Sequence, residues 1–478
     1  MHMINSGSAK NSNRLFALTG LISALIVPIS AASFAASPPS PYPILSEQGI
    51  LKGVTIEAPF SDLFKMTRAM PDGKDLPKDK LPKGKITFQD ASGKTTTYEN
   101  VTLSVRGNSS KRLDQCPFAK LTLRFPKGDA MPVMGELRKI KIGTHCGETD
   151  EPGPEWFRTR NQKSPVREAL IYKILTRTDT VSLLARPAVI TYTDTSATVD
   201  AQVLPARTIT RAAFFLEDDE TAAERYGGKI LQEAGPRPPN APFMNARDSK
   251  IAPRNIALSV LAEALTENVD WYIQMSASDP EAGRWHGYSN WNVNIMQTKD
   301  GKVWSMVYDW DISAWVTNHS FGARFEDAIA RMAAYPDLKQ DDLDKAIQQY
   351  ISAKTQIYKD VDEAFAQSGV VDSEGKTSIT QRLDSFYKTV EDGPVLRSFP
   401  PPKQPPSQPP YCGDFEQADW PAKGLKVVNP RGFKPSEYRA RDSVSGALFA
   451  GIYQWGGQRC GGSCTIGRAG PVCYLPVN

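Results

Sequence analysis

The residues whose types and spacing could do chemistry concentrate between positions 268 and 311. Asn268-Val-Asp270 is followed by Asn290-Trp-Asn292-Val-Asn294, and then by Tyr308-Asp309-Trp-Asp311. Residues two apart in a strand point to one face. That rule predicts a shared face for Asn290, Asn292 and Asn294, and another for Asp309 and Asp311, on the two strands of a hairpin. A carboxylate at the end of a hairpin, opposite amide oxygens, suits a hard cation such as magnesium, which keeps phosphate oxygens and waters in its shell. Asp270, a second carboxylate upstream, is suited to orient or deprotonate a hydroxyl. These are the parts that phosphoryl transfer requires. The competing reading is that asparagines and aspartates punctuate turns and satisfy backbone groups. Three elements in this order, flanked by Trp271, Trp291, Trp304 and Trp310, weigh against it.

The elements that must position these residues follow from periodicity. Strand patterns run through Lys85–Gln89, the alternation Val101, Leu103, Val105, then Lys120–Phe125 and Lys139–Gly143, with a turn at Asp90-Ala-Ser-Gly93. Ser164-Pro165 predicts a capping serine and a proline at the first helical position, opening a helix through Leu175. Strands are expected at Ala188–Tyr192 and Ala212–Leu216. A long helix is expected from about Asn255 to Met275, with Asn268-Val-Asp270 near its end. The hairpin Trp291–Gln297 and Val303–Tyr308 turns at Lys299-Asp-Gly301, and helices fill about 324 to 390. The order predicts an α+β body with a sheet-rich first half and a helical second half. Gly93-Lys-Thr95 ends like a phosphate-binding loop, but Phe88 stands where its first glycine belongs, so the turn is the better reading. There is no Gly-x-Ser-x-Gly elbow and hence no nucleophile of that type.

The first 36 residues have the three zones of a cleavable export signal: Lys10 and Arg14, an apolar run from Leu15 to Ile29 interrupted by Pro28, and Ser33-Phe-Ala35 before the expected cut. The run is too short for a spanning helix, which needs about 20 apolar residues. A secreted chain, periplasmic or extracellular, with no membrane span after cleavage is therefore expected. The six cysteines then read as disulfides. Cys116 and Cys146 stand apart from the others and are paired with each other. Cys412, Cys460, Cys464 and Cys473 leave three connectivities open, and zinc at Cys460-Gly-Gly-Ser-Cys464 is disfavoured because a second closely spaced pair is missing. A net charge of +4 on 478 residues gives no footprint of a nucleic-acid binder. The four histidines make a multi-histidine metal site a poor expectation. Residues 37–49 read as a tether, 50–392 as the main domain, 393–411 as a stiff proline-rich linker, and 412–478 as a small disulfide-bonded C-terminal unit.

The motifs in 50–390 resemble the spore coat protein H (CotH) kinase-like family. The resemblance is carried by Val105-Arg-Gly-Asn-Ser-Ser110, the lysine-bearing strand Phe118-Ala-Lys120-Leu-Thr-Leu, the helix with Val166-Arg-Glu168, Phe214-Phe-Leu-Glu217, Asn268-Val-Asp270, Asn292 and Tyr308-Asp-Trp-Asp311. It implies a divergent protein-kinase-like fold using ATP and Mg2+. It further implies Asp270 as catalytic base and Asp309 as main metal ligand, with Asn292 and Asp311 assisting and Asn294 as the rival of Asn292. Lys120 would reach the α/β-phosphates, steadied by Glu168. Arg106, Asn108 and Ser109 would lie over the phosphates, and Glu217 near the adenine. His286-Gly-Tyr288 departs from a kinase His-x-Asp, since tyrosine cannot replace that carboxylate. Three functions are thus weighed: a kinase acting on serine or threonine of a surface or coat protein, a non-catalytic binding or assembly module on the same scaffold, and another nucleotide-driven transfer such as AMP transfer or glutamylation.

Overall fold

The computed structural model describes residues 38–392 apart from 47–48, 72–73, 108, 129–130, 152–157, 233–244, 277–289 and 321–324, together with the backbone of strands between 411 and 477. The segment expected to be an export signal, Asn108, the His286 segment and the proline-rich stretch lie outside the described residues.

The alternating segments of the first half close into a barrel. Its strands are β1 (Leu51–Ala58), β2 (Lys83–Gln89), β3 (Thr95–Val105), β4 (Leu121–Arg124), β5 (Lys139–Gly143), β6 (Ala185–Asp194) and β7 (Thr208–Leu216). They are joined in the order β1-β2-β3-β4-β5-β7-β6. Every seam is antiparallel except the one between β1 and β6, where Val54 faces Ile190. Closure follows from pattern: Val54, Ile56, Ile86, Leu103, Leu123, Ile140, Ile142, Ile190 and Phe215 are all buried in one cluster, while Thr87, Thr97, Thr191 and Thr210 pair outside. The turn at Asp90–Gly93 is as expected: Asp90 Oδ1 accepts the backbone N–H of Ser92 and of Lys94, and Gly93 has φ +85°. The expected tether contains the one-turn helix α1 (Pro43–Ser46), with Ile44 and Leu45 buried against the barrel. Helix α2 (Phe60–Arg68) follows β1 and buries Phe60, Leu63 and Phe64. The expected disulfide is present, joining Cys116 to Cys146.

Helix α3 (Lys163–Arg177) packs on β6 and β7. It starts one residue before Ser164 with Gln162 at the N-cap, and the Oδ1 of the preceding Asn161 accepts the Lys163 N–H at 2.9 Å. It is buried on almost all sides, including at Arg167 and Glu168. The short α4 (Asp219–Arg225) follows β7, and β8 (Gly228–Gln232) leads to α5 (Pro253–Thr266). That helix is shorter than its sequence suggests. Glu267 adopts φ +48°, the left-handed C-terminal turn, and Asn268–Asp270 lie in the loop beyond it. Next come β9 (Tyr272–Ile273), β10 (Asn290–Trp291), β11 (Val293–Thr298) and β12 (Val303–Val307). β11 pairs with β12 and with β8 in a three-stranded sheet. Helices α6 (Ala314–Thr317), α7 (Phe325–Met332), α8 (Gln340–Gln367) and α9 (Ser373–Asp392) complete the second half. Their apolar faces form a second core with α3 and α5. The architecture is thus α+β, sheet first and helices second.

In the C-terminal part, β13 (Tyr411–Cys412), β14 (Leu425–Val428), β15 (Glu437–Asp442), β16 (Leu448–Ile452) and β19 (Cys473–Val477) form an antiparallel sheet, and β17 (Arg459–Cys460) pairs with β18 (Cys464–Thr465). The register sets Cys412 opposite Cys473 and Cys460 opposite Cys464. Among the described residues, no helix is long and apolar enough to cross a membrane.

Candidate active site

β3 and β4 present the first wall of the site. Val105 faces Leu121 at the end of their ladder. Just beyond it the Arg106 N–H donates to the Lys120 carbonyl at 2.9 Å, which sets the two cationic residues side by side. Gly107, at φ +80°, turns the chain away into the loop that carries Ser109. Lys120 is buried, and its Nζ lies 2.5 Å from Asp311 Oδ2, 3.2 Å from Asp309 Oδ1 and 3.6 Å from Glu168 Oε2. Burial pushes the ammonium pKa down, while Glu168 and Asp309 act against that shift. Burial raises the Glu168 carboxyl, with Lys120 opposing.

The second wall comes from the hairpin. The Tyr308 N–H donates to the Asn292 carbonyl at 3.1 Å, continuing the β11–β12 ladder by one step. Asn292 and Asp309, one on either side of that last rung, have φ +54° and +63°. Asparagine and aspartate tolerate this left-handed region better than other side chains, and such residues cluster at functional sites. The conformation corrects the sequence expectation. Asn292 interrupts the strand between β10 and β11, so Asn290, Asn292 and Asn294 do not share a face. The Asn290 amide Nδ2 instead donates to the Val293 carbonyl, and only Asn292 of the three lines the cleft. Asp309 and Asp311 likewise lie past the end of β12, on irregular chain. The hydroxyl of Tyr172 on α3 accepts the Asp309 N–H at 3.1 Å.

The two cleft carboxylates differ sharply. Asp270 accepts from Trp291 Nε1 at 3.0 Å on Oδ1 and from Asn292 Nδ2 at 3.1 Å on Oδ2. Burial first, and the charge of Asp309 second, raise its pKa to about 7 against those donors and Arg158. Burial would raise Asp309 too, but Lys120, Arg106 and Arg158 hold it at about 2. Asp309 keeps 34% of its side chain open to the cleft. Asp311 is closed off: its Oδ2 takes both Lys120 and Arg158 Nη1. The carboxylate expected to assist a metal therefore anchors two cations.

The cleft encloses about 1000 Å³, counting the part open to solvent. Arg106, Ser109, Arg158, Asp270, Asn292 and Asp309 line it, with Leu183, Leu216, Tyr172, Trp291 and Tyr308 as its apolar surface. Of the residues picked from sequence, Lys120 bonds the lining carboxylate Asp309, and Glu168 touches Lys120. Glu217 does not reach the cleft. Its carboxylate receives Arg225 Nε and Nη2 and, at 3.0 Å, the Leu184 N–H, a buried clamp between β7 and α4. Arg158 and Lys141 were missed. Arg158 lies in irregular chain with no motif around it, and Lys141 was read only as part of a strand. Another cavity, of about 960 Å³ counting the part open to solvent, lies between α3, β6 and β7, but of its cations, Lys173 and Arg177 are paired with Asp360 and Arg186 donates to the Ile44 carbonyl.

The donor set fits Mg2+ with a polyphosphate. Asp309 is ionised and open, and Asn292 adjoins it; magnesium held by few protein oxygens keeps phosphate oxygens and waters in its shell. Across the cleft, Arg106 Nε and Nη2 are buried and have no hydrogen-bond partner among the described residues, a pair of donors suited to an anion.

No protein-family model matches this chain, and no curated protein does. Among solved structures it aligns with a chain of the Shewanella oneidensis MR-1 toxin–antitoxin HipA–HipB–operator DNA complex over 57% of its own length and 63% of the other, at 9% identity and a TM-score of 0.29. It aligns with the Helicobacter pylori proinflammatory kinase CtkA over 61% of its length and 91% of that chain, at 8% identity and a TM-score of 0.26. Superpositions this loose do not bear on activity, which is argued from the cleft.

Proposed function

We propose that this chain is an exported, kinase-like phosphotransferase that uses Mg-ATP and passes the γ-phosphoryl group to a serine or threonine hydroxyl of a protein. The observation that carries the proposal is the opposition, within one cleft, of Asp270 at about 7 and the Lys120–Asp309–Asp311 cluster. A base poised near neutrality and a fixed set of charges around an open carboxylate are what phosphoryl transfer asks of a protein. Asp270 accepts the proton of the acceptor hydroxyl as its oxygen bonds to the γ-phosphorus and the bond to the β–γ bridging oxygen breaks, releasing ADP. Trp291 and Asn292 hold the Asp270 carboxylate in place. Lys120 and Arg106 face the phosphates, and Asp311 and Glu168 fix Lys120. Asp309, with Asn292, would hold Mg2+, which supplies charge neutralisation for the phosphate oxygens. Leu183, Leu216 and Tyr172 offer the apolar surface for the base.

The export signal and the kinase-like resemblance support this assignment jointly, although they pull apart on one point, since ATP is scarce outside the cytoplasm. The test is incubation of the mature protein with γ-labelled ATP and magnesium. Label on the protein or on added casein that disappears in Asp270→Ala supports the proposal. Mass spectrometry showing an added AMP group would assign the cleft to AMP transfer. Absence of Mg-ATP binding at millimolar nucleotide would assign the fold to a binding module.

A further inference from the structure

Arg158 is 3% exposed and lies in the cleft between the two walls. Its guanidinium joins three parts of the site. Nη1 bonds Asp311, Nη2 donates to Ser109 Oγ at 2.8 Å, and Nε has no hydrogen-bond partner among the described residues. Ser109 belongs to the turn that follows Arg106 and Gly107, so Arg158 ties that loop to the cluster around Lys120. A guanidinium carries five N–H donors in a rigid fork, and the bonds to Asp311 and Ser109 leave Nε without an acceptor among the described residues.

Arg106 Nε and Nη2, and Arg158 Nε, are buried donors without a hydrogen-bond acceptor among the described residues. A buried donor left unpaired is costly. These donors of Arg106 and Arg158 are therefore best explained by a multivalent anion lying between them.

We infer that Arg158 is a phosphate-binding residue that, together with Arg106, grips the polyphosphate chain of the nucleotide and holds the Ser109 loop over it. The inference rests on the nucleotide reading above but makes its own demand: Arg158 should discriminate by phosphate content. Titration calorimetry on the mature chain with ATP, adenosine and inorganic triphosphate tests it. Arg158→Gln should weaken ATP and triphosphate by about tenfold to a hundredfold, the range for losing charge-assisted bonds to an anion, and leave adenosine unchanged. Equal affinity of folded Arg158→Gln and wild type for ATP and triphosphate would overturn the assignment. So would a parallel loss of adenosine, which would make the arginine a structural tie only. If Arg158→Gln does not fold, Arg158→Lys decides, since it keeps the charge and loses the fork. A several-fold loss of triphosphate affinity in that variant supports the role, and no loss overturns it. Wild-type protein that binds triphosphate but neither ATP nor adenosine would keep Arg158 as an anion site and remove the nucleotide reading. Wild type that binds none of the three removes both.

Discussion

The two walls of the cleft handle the same residue type in opposite ways. Where the chain past β12 faces β3 and β4, three cations crowd Asp309 and keep it ionised at about 2. On the wall built from the loop after α5 and the kinked strand β10–β11, Asp270 takes an indole and an amide as partners among the described residues and rises to about 7. Environment, not residue identity, divides the labour between a permanent anion and a proton acceptor.

The sharpest way to break the comparison is to empty the cationic wall of its anion. Asp309→Ala should reduce magnesium-dependent phosphate incorporation by about a thousandfold or more, as for other removals of a preorganised electrostatic group, with an unchanged circular dichroism spectrum. Equal incorporation by the mutant would remove Asp309 from the mechanism. Asp270→Asn should cost about a hundredfold to ten-thousandfold, the usual worth of a general base. Wild-type activity should climb with pH through about 7 as Asp270 loses its proton, and the residual activity of Asp270→Asn should lose that limb.

The same group makes a prediction about stability, with a definite sign. Its folded pKa is raised above the ordinary aspartate value, so between about 4 and 7 the folded state binds more protons than the unfolded one, and stability falls as pH rises through that window. Asp270→Asn should therefore melt higher than wild type at pH 8, by roughly 1–3 kcal/mol of stability, and lose that advantage near pH 4. Next in size for activity is Asp311→Asn. It weakens the anchor of Lys120 and Arg158 rather than a reacting group, and a loss of about tenfold is expected, smaller than for Asp309→Ala. A loss as large as that of Asp309→Ala would return Asp311 to the reaction centre. Glu217→Gln should leave nucleotide affinity within about twofold while lowering stability by about 2–4 kcal/mol, because it uncouples a buried Arg225; denaturant melts and nucleotide titration separate the two effects. Smallest in effect on the cleft is the C-terminal register. Non-reducing peptide mapping should find Cys412 joined to Cys473 and Cys460 to Cys464, because each pair sits directly across an antiparallel ladder.

Much of this was legible in the sequence because it rests on local rules. Alternation located β2 to β7, and burial on one face of each strand is the physical content of that pattern. The isolation of Cys116 and Cys146 from the other cysteines pointed to their bond. Spacing and resemblance point to Asp270, Asn292, Asp309 and Lys120; the first three line one cleft, and Lys120 bonds Asp309. What failed depended on single backbone torsions or on long-range partners. A period of two cannot announce the left-handed turn at Asn292, so the shared asparagine face was false. Nor does helical periodicity show that Glu267 ends α5 before Asp270. The partners of Glu217 and Asp311 are an arginine eight residues on and two cations far upstream, which no local pattern encodes. Arg158 had no signal at all beyond being an arginine.

The one parallel seam of the barrel has a consequence for how the chain is made. β1 comes near the start of the domain, and its neighbour β6 only after four other strands and two helices have been produced, so Val54 must wait for Ile190. Pairings this distant in sequence slow folding and leave open strand edges exposed in the interval. The topology thus sets the closing of the barrel late, after β6 has been made.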